Sequence, residues 1–195
     1  MTSFVPRENC WGRTVANWST TARRIRVPLG FVLAGVYLVL AHPRASSLGF
    51  GAGFVIAGLI IRGAASGHVR KNEQLTMTGP YAYTRNPLYL GSLIIAGGFA
   101  VAARSWWIGL ILVAMFVAIY LPVIRTEEAY LAERFPEFAE YACHVPRLVP
   151  GLSRAQIDSG SFSWSLYWKH REYNATLGSV AIMAALMLKL LLAAH

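Results

Sequence analysis

From Trp106 to Ile124 the chain reads WWIGLILVAMFVAIYLPVI, without one charged side chain. A helix of that composition is apolar all round, and its length matches the roughly 20 residues that cross a ~30 Å hydrocarbon layer. Four further apolar runs accompany it: Val27 to Ala41, Leu48 to Ala65, Leu88 to Ala103 and Ala175 to Ala194. Several fall short of a full crossing, which leaves room for a buried or re-entrant helix. With 55% hydrophobic and only 14% charged residues, the chain is too apolar for a soluble domain of its size. The expected fold is all-α: a single polytopic membrane helix bundle over residues 1–195 with about five transmembrane helices.

Basic residues orient such a bundle, because Lys and Arg gather in cytoplasmic loops. Arg7, Arg13, Arg23, Arg24 and Arg26 precede the first run; Arg62, Arg70, Lys71 and Arg85 follow the second; Arg125, Arg134, Arg147, Arg154, Lys169 and Arg171 follow the fourth. Of the 18 basic residues, only Arg44, Arg104 and Lys189 remain for the opposite side. The N-terminus is therefore expected in the cytoplasm and the C-terminus outside, as in a bacterial inner-membrane protein. All nine acidic residues fall on the same cytoplasmic side, so acid, base or cation-binding chemistry is expected there. The net charge of +9 is spread over membrane-flanking loops without a nucleic-acid motif. It is better explained by topology and by anionic lipid headgroups than by nucleic acid.

Cys10 and Cys143 both fall on the reducing side and do not point to a disulfide, and no metal-ligand spacing is present. The long polar stretch to Arg26, with Trp11 and Trp18, reads as an interfacial segment rather than a removable signal peptide. Gly49 and Gly53 are spaced to let a neighbouring helix approach, whereas GFGAG lacks the spacing of a dinucleotide fingerprint.

The polar punctuation of the central region carries the chemistry. LTMTGPYAYTRNPLYLG, Leu75 to Gly91, sets aromatics, Arg85 and two proline breaks in front of an apolar run. Asn86 at the N-cap with Pro87 at the first helical position turns the positive end of a helix toward this segment, which suits an anionic ligand. The third and fourth runs are joined by Arg104-Ser105 alone, so a tight hairpin returns the chain to Glu127-Glu128 at the level of Asn86. A ligand with an anionic and a cationic group is thereby held from both ends. Beyond it, Glu127 to Tyr141 reads as an amphipathic helix broken by Pro136, and Val145 to Pro150 as extended chain.

In order and spacing, Leu75, Gly79-Pro80-Tyr81, Arg85-Asn86-Pro87-Leu88-Tyr89-Leu90-Gly91, Glu127-Glu128, Leu131, Phe135, Tyr141 and Val145-Pro146-Arg147-Leu148-Val149-Pro150 resemble a known signature. It is that of the isoprenylcysteine carboxyl methyltransferase-like family of integral membrane methyltransferases, of bacterial and archaeal type. The resemblance covers about residues 66 to 150 and implies S-adenosylmethionine as cofactor, at a cytoplasmic site. Position by position it implies Glu73, Gln74, Leu75, Thr76, Tyr81, Asn86, Pro87, Leu88, Tyr89 and Glu127 as cofactor-binding residues, with Arg85 orienting the turn. The acceptor implied is lipophilic or isoprenoid-like and reaches the site from the bilayer. Three positions depart from the resembled pattern: Asn86 stands where many members have histidine, Pro136 replaces a glycine, and Val123 occupies the place of an arginine, with Arg125 two residues on as the candidate to stand in for it. Arg125 is thus the substrate-side candidate, with Glu128 and His68 as groups to take a proton from an amine or thiol acceptor. Two other readings fit the residues, a non-catalytic membrane scaffold and an NADPH enzyme of the sterol-reductase type, though the latter are usually longer chains.

Overall fold

The computed structural model describes residues 30, 32–70, 74–151 and 161–193, and the regular structure among them is entirely helical. Helix α1 covers 32–40, and α2 (Ala45–Ser66) follows after a short loop. A 3₁₀ turn at Gly79–Ala82 leads to α3 (Pro87–Ala103). Next come α4 (Trp106–Met115), a π-helical turn (Phe116–Tyr120) and α5 (Leu121–Arg134), which form one continuous rod, Trp106–Arg134, of 29 residues. Helices α6 (Phe138–His144), α7 (Trp164–Lys169) and α8 (Tyr173–Ala193) complete the chain. The N-terminal interfacial segment and Glu73 lie outside the described residues.

Among the described residues three stretches are long and apolar enough to cross a membrane: α2, the rod, and α8. Helix α3, with 17 residues, is about 25 Å long and falls short of a ~30 Å core. The rod differs from the expected fourth span by continuing ten residues past Ile124. At about 43 Å it outruns the hydrocarbon layer, so Glu127 and Glu128 stand on the span's own helix rather than starting a separate amphipathic one. Helix-forming residues carry it on until the extended Phe135 and Pro136 stop it. Pro122, inside the rod, removes an i→i−4 bond, and the wider π turn just before it takes up the break.

Helices α2 and α3 form the closest pair. A Cβ on Gly51 would lie 2.6 Å from the Gly98 carbonyl oxygen, and one on Gly58 would lie 2.6 Å from that of Gly91. The same antiparallel register continues to both ends: Ser47 Oγ donates to Ala102 O (3.1 Å) and Arg62 Nη1 donates to Leu88 O (3.4 Å). Gly49 and Gly53, the expected packing pair, have nothing within 4 Å of where a Cβ would stand. Two residues around a helix is a rotation of about 200°, so a pair offset by two from Gly51 turns away from α3.

At the end of the bundle opposite Asn86, α8 closes onto α1 and the α3–α4 corner. Leu186 is wholly buried with Tyr37, Ala41, Leu48, Ala102, Ala103 and Ile108. At the Asn86 end, Glu172 ties the start of α8 to α2 by an ion pair with Arg62 (2.8 Å), and His170 Nδ1 sits 3.2 Å from Ser66 O. A second cluster, Leu75, Phe138, Tyr141 and Val145, folds α6 under that end of the bundle.

Candidate functional site

Two strands of coil are stitched together where α3 begins. Arg85 N donates to Pro146 O (2.9 Å) and Gly151 N to Tyr83 O (2.8 Å), while Thr84 Oγ1 donates to Arg147 O (3.2 Å) and Leu148 O (3.1 Å). Prolines 146 and 150 hold the second strand extended and leave its carbonyls free to accept. Asn86 and Pro87 take the N-cap and first helical positions, as expected from sequence, but the Asn86 side chain does not cap α3. Its Nδ2 instead donates to Glu128 Oε1 (2.8 Å) and Arg147 O (3.1 Å). Two acceptors on one nitrogen fix the amide's orientation, and a neutral donor suffices for both bonds.

Glu128 is the centre of this junction. It is 6% exposed, and its second oxygen, Oε2, accepts from Arg147 Nε and Nη2, each at 2.8 Å. Arg85 Nε approaches Oε1 at 3.7 Å, an ion pair too long for a hydrogen bond, and is a buried donor without a hydrogen-bond partner among the described residues. Both Glu128 oxygens are therefore occupied while one guanidinium N–H nearby is not. Glu127, on the next face of α5, is only partly buried.

Tyr81, in the 3₁₀ turn, is buried, and burial pushes its phenol above the usual tyrosine range, with Tyr141 and the negative charges of Glu127 and Glu172 adding to the shift. Its carbonyl accepts from Tyr141 Oη at 2.7 Å. Burial also raises Tyr141, against the lowering effect of the Arg85 charge. Both phenols thus stay neutral beside the charged residues.

The other residues singled out from sequence divide by position. Pro87 is fully buried; Leu88 offers its carbonyl to Arg62 and to Ser92 Oγ (3.0 Å); Tyr89 packs edge-on to Tyr120 with ring centres 6.0 Å apart. Leu75 belongs to the α6 cluster, and Thr76 is buried with Oγ1 accepting from Arg70 N (3.2 Å). Gln74 and Arg125 are exposed. His68 Nδ1 contacts Ala64 O at 2.7 Å, and its ring packs over Gly79, where a Cβ would come within 2.7 Å of Cδ2. Gly79 has φ +59°, so glycine is required there both for the backbone and for the imidazole.

Arg147 and Arg62 were not singled out as site residues from sequence. The proline bracket around Arg147 was the available signal, since a rigid loop fixes where an arginine can reach. Arg62 looked like a loop charge, yet it lies on α2, donating to Glu172 and Ser92.

Residues 55–137 match the family model described as phospholipid methyltransferase. Over this segment the chain is similar to the isoprenylcysteine carboxyl methyltransferase-like group of membrane methyltransferases. The chain is 39% identical over 98 residues to the cobalt-zinc-cadmium resistance protein CzcN of Cupriavidus metallidurans, an alignment covering 50% of this chain and 44% of the relative. It is 36% identical over 103 residues to the nickel-cobalt-cadmium resistance protein NccN of Alcaligenes xylosoxydans xylosoxydans, covering 50% of this chain and 48% of that relative. The chain thus spans about half the length of the curated relatives it matches. No solved structure gives a significant match.

Proposed function

We propose that the chain is an S-adenosylmethionine-dependent methyltransferase acting on a lipophilic acceptor at the membrane face that carries Asn86 and Glu127. The observation that carries this reading is the juxtaposition, at the junction around Glu128, of a buried Arg85 Nε that makes no hydrogen bond among the described residues with a carboxylate pair of which only Glu128 is hydrogen-bonded at both oxygens. A zwitterion with a sulfonium fits that donor set: Arg85 suits its carboxylate, and Glu127 its ammonium group or ribose hydroxyls. Bound there, the cofactor would supply an electrophilic methyl group.

The chain's own residues then position and exclude water. Glu128, held by Asn86 and Arg147, is a positioning residue that locks the start of α3 against α5. Tyr141 donates to the Tyr81 carbonyl without ionising. Phe116, Tyr120, Val123 and Glu127 follow one another along one side of the rod, and Phe116 stacks on Tyr120 with ring centres 6.1 Å apart. This aromatic wall, with Tyr89 facing it, leads from the apolar layer to Glu127 and suits a lipophilic acceptor arriving from the side. A carboxylate acceptor needs no base. For an amine or thiol, His68 and Arg125 remain the substrate-side residues to test, since Glu128 has no free oxygen.

Titration calorimetry of the full chain in detergent with S-adenosylhomocysteine tests the reading, and absence of binding would sink it. Glu127→Gln is expected to weaken that binding about tenfold, the effect of losing one charge-assisted hydrogen bond. Unchanged affinity would remove Glu127 from the site. Incubation with methyl-labelled S-adenosylmethionine and a total lipid extract then identifies the acceptor class.

A further inference from the structure

Arg44, Arg104 and Lys189, the three basic residues that charge patterning leaves on the far side of the membrane, do not scatter there. Together with His42 they line one cavity of about 440 Å³, formed by the loop before α2, the α3–α4 corner and the end of α8. That volume falls within the range of small-ligand sites. His42 N donates to Ala103 O (2.8 Å), which fastens two of its walls together. Lys189 Nζ gives two of its three protons to Leu38 O (2.6 Å) and Val39 O (3.2 Å), leaving the third available.

Among the described residues no acidic side chain lines this cavity. The described acidic side chains belong to α5, α6 with its N-cap Glu137, and the residue before α8, at the opposite end of the bundle, about 25 Å away along α3. Arg44 is also the N-cap residue of the 22-residue α2, so the positive end of that helix faces the same space. A second observation is independent of charge. Arg104 caps α3 at φ +53°, a left-handed conformation that favours glycine and strains a long side chain. An arginine in a conformation that favours glycine points to a use for its guanidinium. Trp106 and Trp107, 68% and 59% exposed beside it, place the cavity at headgroup depth.

We propose that this cavity binds the phosphate of an anionic phospholipid from the leaflet at that end, as a site separate from the one around Glu128. Phosphatidylglycerol titrated into delipidated full-length protein in a non-ionic detergent, followed by native mass spectrometry, tests this. One cation near a lipid phosphate contributes about a fivefold change in affinity, so Arg104→Gly should weaken binding about fivefold and Arg44→Gln with Arg104→Gly about 25-fold. Arg104→Gly relieves the strained backbone, so its thermal midpoint should hold or rise, which separates lost binding from lost folding. Retained phosphatidylglycerol affinity in the double variant overturns the site. Displacement of the lipid by millimolar inorganic phosphate overturns the lipid assignment in favour of a free anion.

Discussion

Asn86 and Glu128 show how a polar pair can be indispensable at a membrane edge without being reactive. Each Glu128 oxygen has a donor, so removing one partner strands the other in a poorly hydrated place. Asn86→Ala leaves Oε1 without its amide and should lower stability by about 1–2 kcal/mol. Glu128→Gln leaves Arg85 buried beside no charge and should lower it by about 2–3 kcal/mol, part of the full penalty being relieved because Arg147 is 40% exposed. Chemical denaturation in detergent measures both, and equal stability of the two variants and the parent would contradict the anchoring role. Tyr141 adds a pH dependence with a definite sign. Its phenol is raised in the folded state relative to the unfolded one, so the stabilisation is complete below the ordinary tyrosine pKa of about 10 and is lost as pH rises beyond it. Tyr141→Phe should flatten that alkaline decline while removing the bond to Tyr81 O, at a cost of about 1 kcal/mol near neutral pH.

Among the helices, the decisive contact is the α2–α3 seam rather than the α3–α4 hairpin that the short Arg104-Ser105 link advertises. Gly51 and Gly58 meet Gly98 and Gly91 two turns apart, and the same register delivers Arg62 to Leu88 O and Ser92 at the site end. A displaced seam would therefore move the start of α3 and, with it, Asn86. Gly58→Ala brings a methyl within 2.6 Å of backbone and should cost about 1–3 kcal/mol, with weaker cofactor binding in parallel. Gly53→Ala has open space and should be neutral or stabilising by up to about 1 kcal/mol. Thermal unfolding of the pair in one detergent checks the contrast, and a reversed order would show that the seam is set elsewhere. Sequence indicated glycine-mediated packing in this helix but selected the wrong pair, because spacing reports which glycines share a face and not which face meets a neighbour.

The described residues are polarised along the bundle: acidic residues, two tyrosines and the Asn86 junction at one end, and a cationic cavity at the other. On the proposed orientation Cys143, exposed on α6, is cytoplasmic. With Cys10 replaced by serine, a membrane-impermeant maleimide should label Cys143 in inverted vesicles and not in intact cells; labelling of intact cells would reverse the orientation. Apolar runs, loop charges and the Gly-Pro-Tyr, Asn-Pro and Glu-Glu elements were enough to determine a helical membrane protein, the face that carries its acids, and the pairing of Asn86 with the Glu127-Glu128 turn. Those properties are local, since hydrophobicity, helix breaking and charge are written residue by residue. The tertiary structure alone decided which glutamate is saturated, that Arg147 saturates it, that Arg62 binds Glu172, and that three scattered cations share a cavity. Each of these depends on which faces of separate helices meet, and that is set by packing across the bundle rather than by any one stretch of chain.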